Sequence, residues 1–114
     1  MSSAINWNDC IKQSNNKPDL AQQLLDMLAL ELPEFKQAIK ESFAQNKTSI
    51  LINHIHKLHG ACCYCGANHL KSMLNHIENH IQDYTPQELE THIHALLAEI
   101  EAVQQALATQ SYKS

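Results

Sequence analysis

The segment His56-Lys57-Leu58-His59-Gly60 sets two imidazoles three residues apart, with a glycine four residues after the first. A neutral imidazole is a nucleophile near neutral pH, because one ring nitrogen keeps its lone pair while the other carries the proton. Leu51, Ile55, Leu58, Cys62 and Cys65 follow one another at steps of four, three, four and three, the spacing of a narrow apolar stripe on a helix. At about 100° per residue, His56 falls roughly 130° from the centre of that stripe. Its ring is therefore expected in solvent, flanked by Asn53, Gly60 and Cys63. A glycine inside a helix costs about 0.5–1 kcal/mol relative to alanine, so Gly60 needs a reason for standing one turn after an exposed histidine. Without a side chain there, another protein's backbone can come close to the imidazole. Such a histidine can accept a phosphoryl group, since that transfer asks for in-line approach and charge stabilisation more than for covalent help, and a partner can supply the metal.

Other clusters compete for attention. Cys62, Cys63 and Cys65, with His59 or His69, are zinc-type ligands, but no Cys-x-x-Cys pair exists. Cys62 and Cys65 also lie on the apolar stripe, where cysteine behaves as a small apolar residue. His76 and His80 stand one turn apart without the carboxylate-and-histidine motif of a metalloprotease, and a solvated face is the expectation for them. Glu99 and Glu101 are expected as solvent-facing charges on a late helix rather than an acid/base pair.

These residues need a frame, and the composition allows one. The 114 residues fit a single domain, residues 1–114, and 44% apolar against 18% charged residues is enough to fold around a core. No stretch approaches the roughly 20 apolar residues of a membrane span. The start, MSSAINWNDC, has neither the basic nor the apolar part of a signal peptide, so a cytoplasmic protein is expected. The net charge is −4, all eight cationic side chains are lysine, and nucleic acid is an unexpected partner. The four cysteines are expected as free thiols.

A short helix from about Trp7 to Gln13, burying Trp7, Cys10 and Ile11, is expected to end at the Ser-Asn-Asn-Lys-Pro turn. Pro18 and Asp19 suit the first turn of the next helix, where Leu20, Leu24, Leu28, Phe35, Ile39 and Phe43 keep roughly helical spacing. Pro33 leaves open one kinked helix or two shorter ones. The helix bearing His56 is expected to begin near Thr48. Another follows Gly66 with Leu70, Leu74, Ile77 and Ile81 on one face and Lys71, Asn75 and Glu78 largely off it. The last starts at a Thr85-x-x-Glu88 capping box with Pro86 in first position and carries Leu89, Ile93, Leu96, Ile100, Val103 and Leu107. Short connections imply antiparallel neighbours, hence an all-α, antiparallel four-helix bundle with an additional short N-terminal helix.

Together with Gly66-Ala67, Leu70 and Ile77-Glu78, the His56–Gly60 segment resembles the signature of the histidine-containing phosphotransfer (HPt) domain, most of all the form at the end of BarA-type hybrid sensor histidine kinases. The likeness spans about residues 5–107. It implies that His56 is the phosphorylated residue, Leu58 a core anchor, Gly60 the small residue that clears a docking surface, and Gly66-Ala67 the turn into the next helix. Many members carry lysine three residues after the histidine, where this chain has His59, whose help would depend on pH. His59 and Lys57 both remain candidates for steadying the phosphoryl group. The resemblance further implies a monomeric phosphorelay intermediate without kinase activity, ATP or cofactor of its own. Its partners would be response-regulator receiver domains, which bring Mg²⁺, and a hybrid sensor histidine kinase. The rivals are a docking bundle without phosphotransfer and a metal- or redox-sensing bundle using His59, Cys62, Cys63 and Cys65.

Overall fold

A computed structural model describes residues 4–113. Residues 1–3 and 114, the ends of the expected domain, lie outside the described residues. Five α-helices run α1 Trp7–Gln13, α2 Pro18–Ala44, α3 Thr48–Cys62, α4 Asn68–His80 and α5 Pro86–Thr109, with 3-10 turns at Ile81–Asp83 and Ser111–Lys113. No strand occurs among the described residues. Helices α2 and α3, α3 and α4, α4 and α5, and α5 and α2 pack against one another, which closes a four-helix bundle, and α1 packs against α2. The expected architecture is the observed one.

Each helix starts or stops for a local reason. The Asn6 side chain accepts from the Asp9 backbone N–H and caps α1, whose far end gives way to Asn15 and Asn16 in the left-handed region. Pro33 does not divide α2, which runs unbroken for 27 residues. Proline removes the bond to the carbonyl four residues back. Pro33 and Ala29 are both exposed, so water can satisfy the freed carbonyl. At about 1.5 Å per residue the helix spans about 40 Å, matching the 41 Å long axis of the molecule.

The core takes Leu51, Ile55, Leu58, Cys62 and Cys65 from the His56-bearing segment, as the stripe requires. On α2 the helical spacing holds, but the buried line is another one. Its buried line is Ala21, Leu25, Leu28, Leu32, Ile39 and Ser42, while Leu20 is exposed and Leu24, Phe35 and Phe43 are half-buried. Packing on three neighbours gives α2 a face wider than one stripe. The core also extends past the expected limit at Leu107. Tyr112 is buried, its ring 5.6 Å from that of Trp7, and the Lys113 ammonium lies over the Trp7 ring, 5.2 Å from its centre. Trp7 and Ile11 are half-buried, and Cys10 is fully buried.

The capping box forms as expected. The Glu88 N–H donates to the Thr85 hydroxyl at 3.1 Å, and the Thr85 N–H donates to Glu88 Oε1 at 3.0 Å. The Thr85 backbone bond, then its side-chain bond, holds the Glu88 carboxyl below its usual range. The box's contribution is thus present above the ordinary glutamate range and lost as pH falls through the depressed one. Thr85→Ala is expected to destabilise the fold by about 1 kcal/mol, seen as a fall of about 3–6 °C in Tm. An unchanged midpoint in thermal unfolding would mean that packing alone fixes the start of α5.

Candidate functional site

Helix α3 holds His56 on the outside of the bundle, with 72% of its side chain exposed. The burial of Ile55 and Leu58 on either side of it in sequence fixes that direction. Helix α4 supplies what the helix reading of α3 alone does not show. Buried Leu74 and Ile77 seat α4 against α3 and leave Glu78 on the boundary, 22% exposed, with both carboxylate oxygens 3.2 Å from His56 Nδ1. A carboxylate only accepts, so a neutral His56 ring carries its proton on Nδ1 and its lone pair on Nε2. The free nitrogen is Nε2, on a ring that is largely exposed.

His59 stands one turn along on the α4 side, 20% exposed, its Nδ1 3.3 Å from Glu78 Oε1. Glu78 therefore faces two imidazoles. Lys57 borders a different feature, a cavity of about 310 Å³ between α2 and α3 lined also by Glu31, Glu34, Phe35, Ala38 and His54. Of the two candidates left open by the sequence, His59 is the one beside the carboxylate that holds His56. Asn53 and Gly60 are exposed on α3, and Cys63 is half-buried with its thiol donating to the His59 carbonyl at 3.4 Å. A Cβ built on Gly60 would meet nothing within 4 Å, so the glycine is not there for helix packing.

Gly66 is another matter. Its φ of +65° lies in the left-handed region, and a Cβ would collide with the backbone oxygen of Asn6. Its carbonyl accepts from the Asn6 N–H at 2.8 Å, and its own N–H donates to Gln13 Oε1 at 3.3 Å. The turn that ends the α3 region is thereby tied to α1.

The cysteines sit apart from this geometry. Burial, then the neighbouring thiols, pushes Cys62 up to about 12, and burial first among several causes pushes Cys65 up to about 12. Such thiols stay protonated at neutral pH, whereas a metal or an oxidant meets the thiolate. All four cysteines are free. On the far side, Glu99 departs from the solvent-facing expectation. Its side chain is only 14% exposed and lies 3.3 Å from His69 Nδ1, because its position on α5 turns it toward the start of α4. Glu101 is exposed, as expected, and pairs with Lys36 at 3.1 Å. His76 and His80 are exposed but not merely solvated. Their rings lie 4.5 Å apart, and His76 is 5.6 Å from His92, which stacks on Tyr84 at 4.4 Å.

The Hpt domain family matches residues 23–106 of the chain, which include His56, Glu78 and the whole of α3 and α4 that carry them. The chain belongs to that family. This HPt domain is 35% identical over 100 residues to the signal transduction histidine-protein kinase BarA of Shigella flexneri, and 35% identical over 68 residues to the sensor histidine kinase GacS of Pseudomonas protegens. The matches cover 87% and 60% of this chain but 11% and 7% of those proteins. The chain thus spans about a tenth of the length of the curated relatives it matches. The crystal structure of the HPT domain of a sensor hybrid histidine kinase from Shewanella superimposes with a TM-score of 0.88 at 36% identity, over 97% of this chain and 96% of that one. The HPt fold and its homology to hybrid-kinase phosphotransfer modules are established together.

Proposed function

We propose that this HPt domain is a phosphorelay intermediate in two-component signal transduction, in which His56 accepts a phosphoryl group from a receiver-domain aspartate and passes it to another receiver. The observation that carries this reading is the bond from Glu78 to His56 Nδ1, which leaves an exposed ring with only Nε2 free. The Nε2 lone pair forms the N–P bond while the bond from phosphorus to the aspartyl oxygen breaks, and that electron pair returns to the receiver's carboxylate. The His56 ring then bears positive charge and keeps its Nδ1 proton, which the Glu78 carboxylate stabilises. The step reverses with the second receiver.

The same reading assigns the work around the reaction. The receiver brings the acidic pocket and Mg²⁺, and the carrier has no kinase activity, cofactor or ATP site of its own. Its partners are response-regulator receivers and a hybrid sensor histidine kinase in the cytoplasm, which it meets as a monomer without nucleic acid or membrane. Asn53, Gly60, Cys63 and His59 surround the acceptor on α3 and form the centre of the docking face, with Lys57 toward α2. No helix among the described residues is long and apolar enough to cross a membrane.

Incubation with a phosphorylated receiver tests the reaction. The expected label is acid-labile and base-stable, and phosphorus-nitrogen NMR coupling places it on Nε2. A folded protein that takes no label from several receivers leaves the docking bundle as the better reading. Gly60 offers a separate handle, since side chains there have room in the isolated molecule. Gly60→Met is expected to keep the thermal midpoint at or above that of wild type while slowing phosphoryl uptake by about tenfold, equivalent to about 1.4 kcal/mol. Unchanged uptake would remove Gly60 from the docking face.

A further inference from the structure

The arrangement around His56 occurs a second time, between α4 and α5. His69 has 71% of its side chain exposed and sets Nδ1 3.3 Å from Glu99 Oε1, on a carboxylate side chain only 14% exposed. His56 is 72% exposed and sets Nδ1 3.2 Å from Glu78, 22% exposed. For His56 a carboxylate on α4 meets a ring on α3, and for His69 a carboxylate on α5 meets a ring on α4. Positions 69 and 78 are nine residues apart, which at about 100° each places them on opposite sides of α4. In both pairs the carboxylate only accepts, so the neutral ring carries its proton on Nδ1 and its lone pair on Nε2. We infer that His69 is a second phosphoryl-accepting nucleophile, reactive toward small phosphoramidate donors, with Glu99 as its positioning residue. The site needs no receiver and does not rest on the relay through His56.

The surroundings suit the product. His69 borders a cavity of about 280 Å³ lined also by Ser72, Met73, His76, Ile77 and His92. A phosphoryl group brings three acceptor oxygens, and a serine hydroxyl and two imidazoles are donors of the kind they need. The His76 and His92 rings lie 5.6 Å apart, so both can serve one group. No carboxylate belongs to that lining. The two nitrogens of an imidazole point away from each other, so Glu99 at Nδ1 stays clear of a group on Nε2. His80 and His94 supply the contrast. Both are exposed, and among the described residues neither has a carboxylate within ion-pair distance.

The step balances with the donor alone. The Nε2 lone pair forms the new N–P bond while the P–N bond of the phosphoramidate breaks. The electron pair of that bond stays on the departing nitrogen, which leaves as ammonia and takes a proton from solvent. The His69 ring keeps its Nδ1 proton and becomes cationic, facing the Glu99 carboxylate, which stabilises it.

The test is labelling of the whole chain by phosphoramidate, with each histidine followed by NMR through its phosphorus-nitrogen coupling. His56→Gln is expected to take an acid-labile label on His69 Nε2, at least about threefold faster than on His80 or His94, the scale of a partly exposed ion pair. Glu99→Gln should slow labelling of His69 by about threefold to fivefold and leave labelling of His56 unchanged. No label on His69, or a rate there no greater than at His80 and His94, overturns the inference. So does an unchanged rate at His69 in folded Glu99→Gln. A measurement without substitutions guards against a misfolded variant: in the wild type the neutral His69 ring should carry its proton on Nδ1, and a proton on Nε2 instead overturns the inference. The relay is judged separately, by transfer from a phosphorylated receiver to His56, which His69→Gln should leave intact. Failure of that transfer with His69 still labelled by phosphoramidate would sink the relay and keep this site.

Discussion

Replacing His56 with glutamine is expected to reduce phosphoryl uptake by more than about a thousandfold, because an amide offers no ring nitrogen with a free lone pair. The change should leave the fold alone. His56 is largely exposed and its ring bonds to Glu78, to which a glutamine amide can still donate. Surface substitutions of this kind usually alter stability by no more than about 0.5 kcal/mol. Thermal unfolding and labelling by a phosphorylated receiver should therefore separate cleanly, with Tm held and label lost. Equal labelling of the variant would move the acceptor to another histidine, and His59 would be the first to examine because it meets the same carboxylate.

Gly66→Ala should have the largest effect on the fold itself. An alanine must enter the left-handed region, at roughly 1–2 kcal/mol, and its Cβ must also displace the Asn6 carbonyl. That carbonyl cannot simply yield, since it accepts the first α1 bond from the Cys10 N–H at 3.0 Å. The sum is about 2–4 kcal/mol, within the range for steric backbone defects, and a fall in Tm on the order of 10 °C. Gly60→Ala makes the internal control. It lies on a regular helix with nothing in reach of the new methyl group, so it should stabilise by about 0.5–1 kcal/mol. A similar loss for both would mean that chain flexibility, not the clash at Asn6, decides.

What the sequence disclosed follows from the range of the forces involved. Helical period and local caps act within one turn, and they located α1, α3 and α5, the exposure of His56 and the Thr85 box. The contacts of Glu78 were not legible in that way. Its motif partner Ile77 identified a family pattern, but the bonds to His56 and His59 depend on the register between two antiparallel helices, which no local period encodes. Glu99 was misplaced for the same reason, drawn toward His69 far away in sequence, and the contact of Tyr112 with Trp7, beyond the expected end of the core, was equally out of reach. On α2 the difficulty was different. A helix touching three neighbours has several faces that satisfy helical spacing, so Leu20 and Leu24 fitted the period without occupying the core.

In the relay proposed above, the bond that ties down Nδ1 would also govern traffic. With one open nitrogen, on the outer side of one helix, a donor and an acceptor cannot engage His56 at the same moment. In that proposed relay each receiver would have to leave before the next arrives, so throughput would be limited by residence time rather than by tightness of grip. A face built for such exchange works best with brief encounters, and a substitution that strengthened one of them would slow the relay by holding the carrier in place.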